Sequence, residues 1–159
     1  MYPADGVGEH TEHVLNYYDK TSRKVLVTDI ETPFPDGKLI VSRTDRNGVI
    51  THVNQPFVDI SGYEEHELIG QPHYILRHPD IPKLVFQDLW EVVSSGQKWF
   101  GYVKNLRKDG GFYWVYATVV PNVRHGGIVG YTSVRRKPSR IKVEAALATY
   151  VEMLNEERG

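Results

Sequence analysis

The sequence predicts an α+β domain in which helices pack on one face of a five-stranded antiparallel sheet. Two strand-like segments are followed by a helical region and then by three further strand-like segments. Glycine-bearing turns join the strand-like segments within each group. Strands and helices that are segregated along a chain in this way indicate an antiparallel sheet with helices on one side. A small molecule would fit between the two layers.

The first strand pair and the short helices are predicted between residues 39 and 70. Leu39 to Thr44 and Val49 to Val53 are predicted strands, and Asp45-Arg46-Asn47-Gly48 is the turn between them. Asn-Gly is a strong hairpin signal because both residues tolerate positive φ. Asn54 is predicted to cap a helix N-terminus, and the helical region ends at Gly70.

One long helix is predicted from Ile81 to Ser95, because its apolar residues recur at helical spacing and Gly96 provides a C-terminal stop. Three strands follow it, at Trp99 to Arg107, Phe112 to Val123 and Ile128 to Arg136. Their turns contain glycine, as hairpin turns require. These segments complete the five-stranded sheet.

The predicted boundaries divide the chain into an N-terminal extension (1–36), a compact domain (37–137) and a C-terminal linker or signalling helix (138–159). Within the extension, Glu9 to Asp19 is predicted to form a short helix, because Val14, Leu15 and Tyr18 suit one apolar stripe. The C-terminal helix has two open interpretations. It packs on its own domain, or it leaves the domain as a signalling or dimerisation helix.

Composition limits the function classes. The chain has 159 residues, a formal net charge of −1 and no cysteine. The near-neutral charge gives no reason to expect nucleic acid as a partner, and the lack of cysteine excludes disulfides, thiolate metal sites and cysteinyl-flavin photochemistry. No segment is apolar for long enough to span a membrane. We expect a cytoplasmic protein, or the cytoplasmic part of a membrane-associated receptor.

The most distinctive segment is the turn Gln71 to Pro82, which contains His73, Arg77, His78 and Asp80 among three prolines. Rigid polar turns of this kind hold a ligand or cap a helix. We expect Asp80 to be the N-cap of the long helix in either case. A metal site at His73, His78 and Asp80 has suitable residue types, but its spacing matches no closed site.

The order of elements resembles a PAS domain over about Leu39 to Arg136. General motifs of that fold are Thr44-Asp45-Arg46-Asn47-Gly48-Val49-Ile50, Asn54-Gln55-Pro56-Phe57 and the segment from Ser61 to Gly70. A narrower resemblance is to the sensor domain of bacterial aerotaxis receptors. Four motifs carry it: Arg77-His78-Pro79-Asp80-Ile81-Pro82, Phe86-Gln87-Asp88-Leu89-Trp90, Trp99-Phe100-Gly101-Tyr102-Val103-Lys104-Asn105 and Gly111-Phe112-Tyr113-Trp114-Val115.

This resemblance implies a PAS fold that binds FAD without covalent attachment. A flavin ring needs apolar walls and a few amides at its edge, and a diphosphate needs cationic donors. The resemblance and these needs together select nine cofactor-binding candidates: Asn54, Phe57, Arg77, His78, Asp80, Phe86, Trp90, Trp99 and Asn105. The role of Asp80 would be indirect, through the turn, and the helix-capping role of Asn54 already explains that residue.

The leading functional hypothesis is a redox or oxygen-linked sensor of the aerotaxis type, which relays a conformational change to a downstream signalling domain or a chemoreceptor-type partner. A homodimer is a further option. The alternatives are a haem-binding gas sensor with His78 as axial ligand, and a cofactor-free interaction module. An enzyme is not expected, because the sequence has no phosphate loop and no nucleophile with an evident base.

Overall fold

The structure is a computed structural model that describes residues 11–16 and 22–158. A hairpin of β1 (Thr11–Asn16) and β2 (Ser22–Val27) precedes the main sheet. The sheet consists of β3 (Ile40–Asp45), β4 (Ile50–Val53), β5 (Trp99–Leu106), β6 (Phe112–Arg124) and β7 (Gly127–Arg136). All its pairings are antiparallel, in the order β4-β3-β7-β6-β5. The predicted fold class is confirmed.

The helices between β4 and β5 cover one face of this sheet. They are α1 (Gln55–Ser61), α2 (Glu65–Leu68), a 3₁₀ helix (His73–Leu76) and α3 (Lys83–Ser94). Asn54 caps α1 as predicted, since its side chain accepts a hydrogen bond from the Phe57 amide. Gly96 ends α3 with a φ of 92°. The amides of Gly96 and of the residue after it donate hydrogen bonds to carbonyl groups of the last helical turn, which would otherwise lack partners.

The predicted helix at Glu9 to Asp19 is wrong over the part that the structure describes. Thr11–Asn16 forms a strand that pairs with β2, and the remainder of the predicted helix lies outside the described residues. Leu15 is buried with Val25 and Val27 against Leu106 of β5. Adjacent residues of a strand point to opposite faces, so Leu15 is buried while Val14 is exposed. The pairing with β2 and the packing against Leu106 favour this alternation over a helical stripe.

The C-terminal helix α4 (Arg140–Arg158) packs on the domain. Val143 is buried in the main core, and Tyr150 and Met153 contact that core. The Tyr150 hydroxyl donates a 2.6 Å hydrogen bond to the Tyr102 carbonyl of β5. Whether the helix also signals stays a prediction. Within the described residues, no helix is long and apolar enough to cross a membrane.

Candidate functional site

A cavity of about 660 Å³ lies between the sheet and the segment from the 3₁₀ helix to α3. This volume falls within the range of small-molecule sites. Four strands of the sheet contribute residues from one face, because side chains at i and i+2 share a face. These are Ser42 and Thr44 from β3, Trp99, Val103 and Asn105 from β5, Val115, Ala117 and Val119 from β6, and Tyr131, Ser133 and Arg135 from β7.

Trp99 forms one apolar wall. Its indole lies along the strand over Gly101, where an added Cβ would come within 2.2 Å of the ring. Only glycine leaves space for this arrangement. The indole Nε1–H donates to the Asp88 carboxylate at 3.0 Å, which fixes the ring relative to α3. The sequence motif therefore contains a residue, Gly101, whose role is to make room for its neighbour.

Phe86 and Trp90 supply the opposite wall from α3, one helical turn apart. Trp90 meets Tyr131 of β7 edge-to-face, with 5.3 Å between ring centroids. The Arg77 guanidinium carbon lies 5.4 Å from the centre of the Phe86 ring. Arg77 thereby brings a positive charge to an otherwise aromatic wall of the cavity.

Asn105 is the buried amide of the site. It is 4% exposed, it lines the cavity, and it pairs across β5 and β6 with Tyr113. Its backbone also forms an antiparallel bridge with Arg77. An amide offers donors and an acceptor together, and an inward-facing one is expected to be hydrogen-bonded. The turn and the strand thus present Arg77 and Asn105 side by side.

The turn after Arg77 faces away from the cavity. His78 is buried, its Nδ1 accepts a hydrogen bond from the Asp80 amide at 3.0 Å, and its ring meets Phe112 edge-on. The Asp80 carboxylate accepts from the Lys104 ammonium at 2.7 Å. The expectation that Asp80 caps α3 is wrong: Pro82 occupies the N-cap position, and no side chain makes a capping bond there. The buried Lys104 ammonium is the stronger partner for that carboxylate.

Of the nine cofactor-binding candidates, the structure brings five to the cavity: Arg77, Phe86, Trp90, Trp99 and Asn105. Four others do not line it. Asn54 uses its amide on the Phe57 and Val41 N–H groups and the Leu39 carbonyl, and Phe57 is a fully buried core residue. His78 and Asp80 form the structural cluster described above. Among the described residues, no group of three acidic or histidine side chains could hold a metal ion.

Sequence reasoning missed the polar patch that β3 and β7 place in the cavity wall. Arg135 Nη2 lies 3.0 Å from Ser42 Oγ and 2.6 Å from His73 Nε2. Burial lowers the pKa of Arg135 to about 10, and burial together with the Arg135 charge lowers the pKa of His73 to about 3. An available signal was the alternation along β7, which puts Tyr131, Ser133 and Arg135 on one face.

The lining residues fit a flavin-type ring. Aromatic and aliphatic walls suit its faces, and Asn105 suits a polar edge. Two buried polar atoms of cavity-lining residues, Thr44 Oγ1 and Arg135 Nη1, have no hydrogen-bond partner among the described residues. Buried polar groups without partners are rare in a completed structure. Their presence at this wall favours a polar ligand over an apolar one.

Comparison with known proteins agrees with the fold described above. The family model described as PAS fold matches residues 50–135. The aerotaxis receptor of Escherichia coli is 46% identical over 124 residues, which cover 78% of this chain and 24% of the receptor. The chain therefore spans about a quarter of that relative's length.

Two solved structures show the same fold. A PAS domain from Colwellia psychrerythraea has a TM-score of 0.58 and 26% identity, covering 64% of this chain and 87% of that one. The dark structure of the blue-light photoreceptor Aureochrome1 LOV has a TM-score of 0.62 and 20% identity, covering 75% of this chain and 84% of that one. The second likeness concerns the fold alone.

Proposed function

This chain belongs to the PAS fold family, and from that premise we propose that it is a sensory domain that binds FAD non-covalently and responds to redox state or, indirectly, to oxygen. The observation that carries the proposal is the cavity itself. Phe86, Trp90 and Trp99 give it aromatic walls, and the buried Asn105 and the charged Arg77, which are joined by a backbone bridge, both line it. Homology to the aerotaxis receptor supports the same assignment.

A bound flavin would supply reversible electron uptake, which changes the charge and hydrogen-bonding capacity of its ring. Asn105 is suited to respond, because an amide can present either its donor or its acceptor. It lies on β5, the strand whose Tyr102 carbonyl accepts the hydrogen bond from Tyr150 of α4. We therefore propose that the state of the cofactor shifts the population of α4 conformations, and that α4 or the sheet acts on a downstream signalling domain or a chemoreceptor-type partner.

The first test is the absorbance spectrum of freshly purified protein, followed by mass analysis of the released ligand. We expect a yellow protein with flavin bands that bleach on reduction with dithionite, and release of FAD rather than FMN. A haem would need an axial ligand, and the histidine among the described cavity-lining residues is His73, whose Nε2 already accepts a hydrogen bond from Arg135. A haem Soret band would therefore contradict this geometry. Colourless protein that cannot be reconstituted with FAD would refute the proposed cofactor.

A cavity-filling variant tests the location. Ala117 is buried and lines the cavity from β6, whereas Ala148 is exposed on α4. We expect Ala117→Phe to lose bound FAD while its far-ultraviolet circular dichroism stays native. Ala148→Phe, the matched control, should keep the cofactor. Equal FAD content in the two variants would place the binding site elsewhere.

The proposed relay has its own test. Asn105→Asp removes the donor while keeping the size of the side chain, and Asn47→Asp in the exposed β3–β4 turn is the control. In the wild type we expect amide hydrogen exchange in α4 to differ between oxidised and reduced protein. Asn105→Asp should keep FAD but diminish this difference. An unchanged difference would remove Asn105 from the relay.

A further inference from the structure

Arg135 places a positive charge in the sheet wall of the cavity. The residue is 2% exposed, it lies near the end of β7, and it lines the cavity. Its pKa, lowered by burial to about 10, still leaves the guanidinium charged at neutral pH. Removing a charge from water is costly unless a counter-charge compensates it. The partners of this guanidinium therefore indicate which kind of ligand group the wall would favour.

Among the described residues, the partners of Arg135 are all neutral. Nη2 bonds to the Ser42 hydroxyl and to His73, and the guanidinium carbon lies 5.0 Å from the centre of the Phe57 ring. Nη1 has no hydrogen-bond partner among the described residues. Within the same part of the chain, no carboxylate forms an ion pair with Arg135. The charge is held in position but not neutralised.

His73 is neutral, so the Arg135–His73 pair carries a net charge of +1. Arginine can only donate, so the Nε2 atom at 2.6 Å must accept and the ring proton must lie on Nδ1. Protonation of Nε2 would break the bond and place two cations together. The pKa of His73, lowered to about 3 by burial and by Arg135, agrees with a neutral ring. His73 is thus a neutral acceptor that orients Arg135.

The other charged residues at the cavity do not cancel this charge. Lys83 and Glu91 line the cavity from exposed positions on α3, have opposite signs and are screened by water. Arg77 lies against Phe86 and adds a further positive charge. Among the described residues that line the cavity from the sheet, Arg135 is the charged one. The sheet wall is therefore positive.

We propose that Arg135 is the residue by which the cavity selects a ligand with an electron-rich or anionic group at the sheet wall, and that it sets the reduction potential of the bound FAD. This inference rests on the cofactor proposed in the preceding section. A fixed charge in a low-dielectric wall acts through Coulomb attraction and needs no direct hydrogen bond. Because reduction makes the flavin ring more negative, Arg135 should bind the reduced cofactor more tightly than the oxidised one.

The test compares Arg135→Gln with Arg136→Gln by spectroelectrochemical titration of the FAD-loaded protein. Arg136 follows Arg135 on β7 but is exposed, so it is a matched control. We expect the ratio of the affinities for reduced and oxidised FAD to be at least tenfold lower in Arg135→Gln than in the wild type. For a two-electron couple this loss corresponds to a potential about 30 mV lower. Arg136→Gln should keep the wild-type potential.

Urea unfolding with and without FAD separates a binding role from a structural one. Loss of the unpaired buried charge should leave the ligand-free Arg135→Gln protein as stable as the wild type, or more so, while FAD stabilises it less. If Arg135→Gln does not fold, Arg135→Lys decides the question, because it retains the charge and should retain most of the wild-type potential. A potential in Arg135→Lys equal to that of free FAD would overturn the inference.

The two proposals fail in different ways. Wild-type protein that binds no FAD overturns both the cofactor and the role of Arg135. A yellow wild type, with Arg135→Gln and Arg136→Gln of the same potential and the same FAD affinity, overturns the role of Arg135 and leaves the cofactor intact. Loss of FAD from folded Arg135→Gln but not from Arg136→Gln supports the inference.

Discussion

Removing the Asp80 carboxylate should destabilise the protein more than removing its partner, the Lys104 ammonium. The two groups form a 2.7 Å ion pair, but they are not equally buried: the Lys104 side chain is 10% exposed and that of Asp80 is 43% exposed. In Asp80→Asn the ammonium stays buried without a counter-charge. In Lys104→Met the carboxylate that remains can be hydrated. The free energies of unfolding should therefore differ between the two variants.

The magnitudes follow from that asymmetry. Removing one partner of a fully buried ion pair costs about 3–5 kcal/mol. The exposure of Asp80 lowers this value, and the contact of Lys104 Nζ with the Phe112 ring, 4.0 Å from its centre, retains part of the stabilisation. We expect a loss of about 2–3 kcal/mol for Asp80→Asn. Lys104→Met keeps the aliphatic packing of the side chain and should lose about 1 kcal/mol or less.

The assay is equilibrium urea unfolding at neutral pH of both single variants and of the double variant. Because the mutated groups touch, the double variant should resemble Lys104→Met alone, so the coupling free energy should equal the loss in Asp80→Asn, about 2–3 kcal/mol. Asp36→Asn removes an exposed ion pair with Lys137 and should change nothing measurable. Equal losses in the two single variants, or strictly additive losses in the double variant, would refute the reasoning.

Three further predictions concern stability. Unfolded His73 takes up a proton near pH 6.5 but the folded residue does so only near pH 3, so stability should fall by about 2 kcal/mol from pH 7 to pH 5, and His73→Gln should lose that slope in urea unfolding. Gly130→Ala should cost about 3 kcal/mol in thermal unfolding, because its Cβ would meet the Thr44 carbonyl oxygen at 2.2 Å, whereas Gly127→Ala has space and should cost little. Tyr150→Phe should cost about 1 kcal/mol and increase hydrogen exchange in α4, since it removes the bond to a β5 carbonyl. An unaltered pH slope, equal losses in the two glycine variants, or unaltered exchange would contradict the respective prediction.

The fold was predictable where local chemistry and periodicity agree. Asn47-Gly48 and His125-Gly126 supply turns, and the structure has hairpins at both, with positive φ at Gly48, His125 and Gly126. The long helix is stopped at Gly96 by the conformation that glycine permits. The N-terminal hairpin was not predictable, because the burial of its apolar residues depends on Leu106, which is distant in sequence. Local periodicity carries no information about that contact.

The candidate site was predictable where a motif faces the cavity and not where it faces away. Trp99 and Asn105 are six residues apart on β5, and even spacing on one strand puts both on the cavity side. Lys104, one residue away, faces the other side and was not singled out, although it determines the partner of Asp80. Arg135 was not selected as a site residue, because its importance lies in the lack of a counter-charge among the described residues, which only three-dimensional packing reveals.

The turn that contains Arg77, His78 and Asp80 therefore has two sides, and the same variants can separate them. Arg77 lines the cavity, while Asp80 is tied to Lys104 on the other side of β5. If Asp80 acts on the cofactor only by holding the turn, Lys104→Met should weaken FAD binding in the same direction as Asp80→Asn, and the double variant should be no worse than Asp80→Asn. If Asp80 contacts the cofactor, Asp80→Asn should weaken FAD binding and Lys104→Met should not. FAD affinity measured by fluorescence titration distinguishes the two roles. The ion pair with Lys104 is the connection through which Asp80 holds the turn on β5. Wild-type FAD affinity in Lys104→Met would therefore exclude the indirect role.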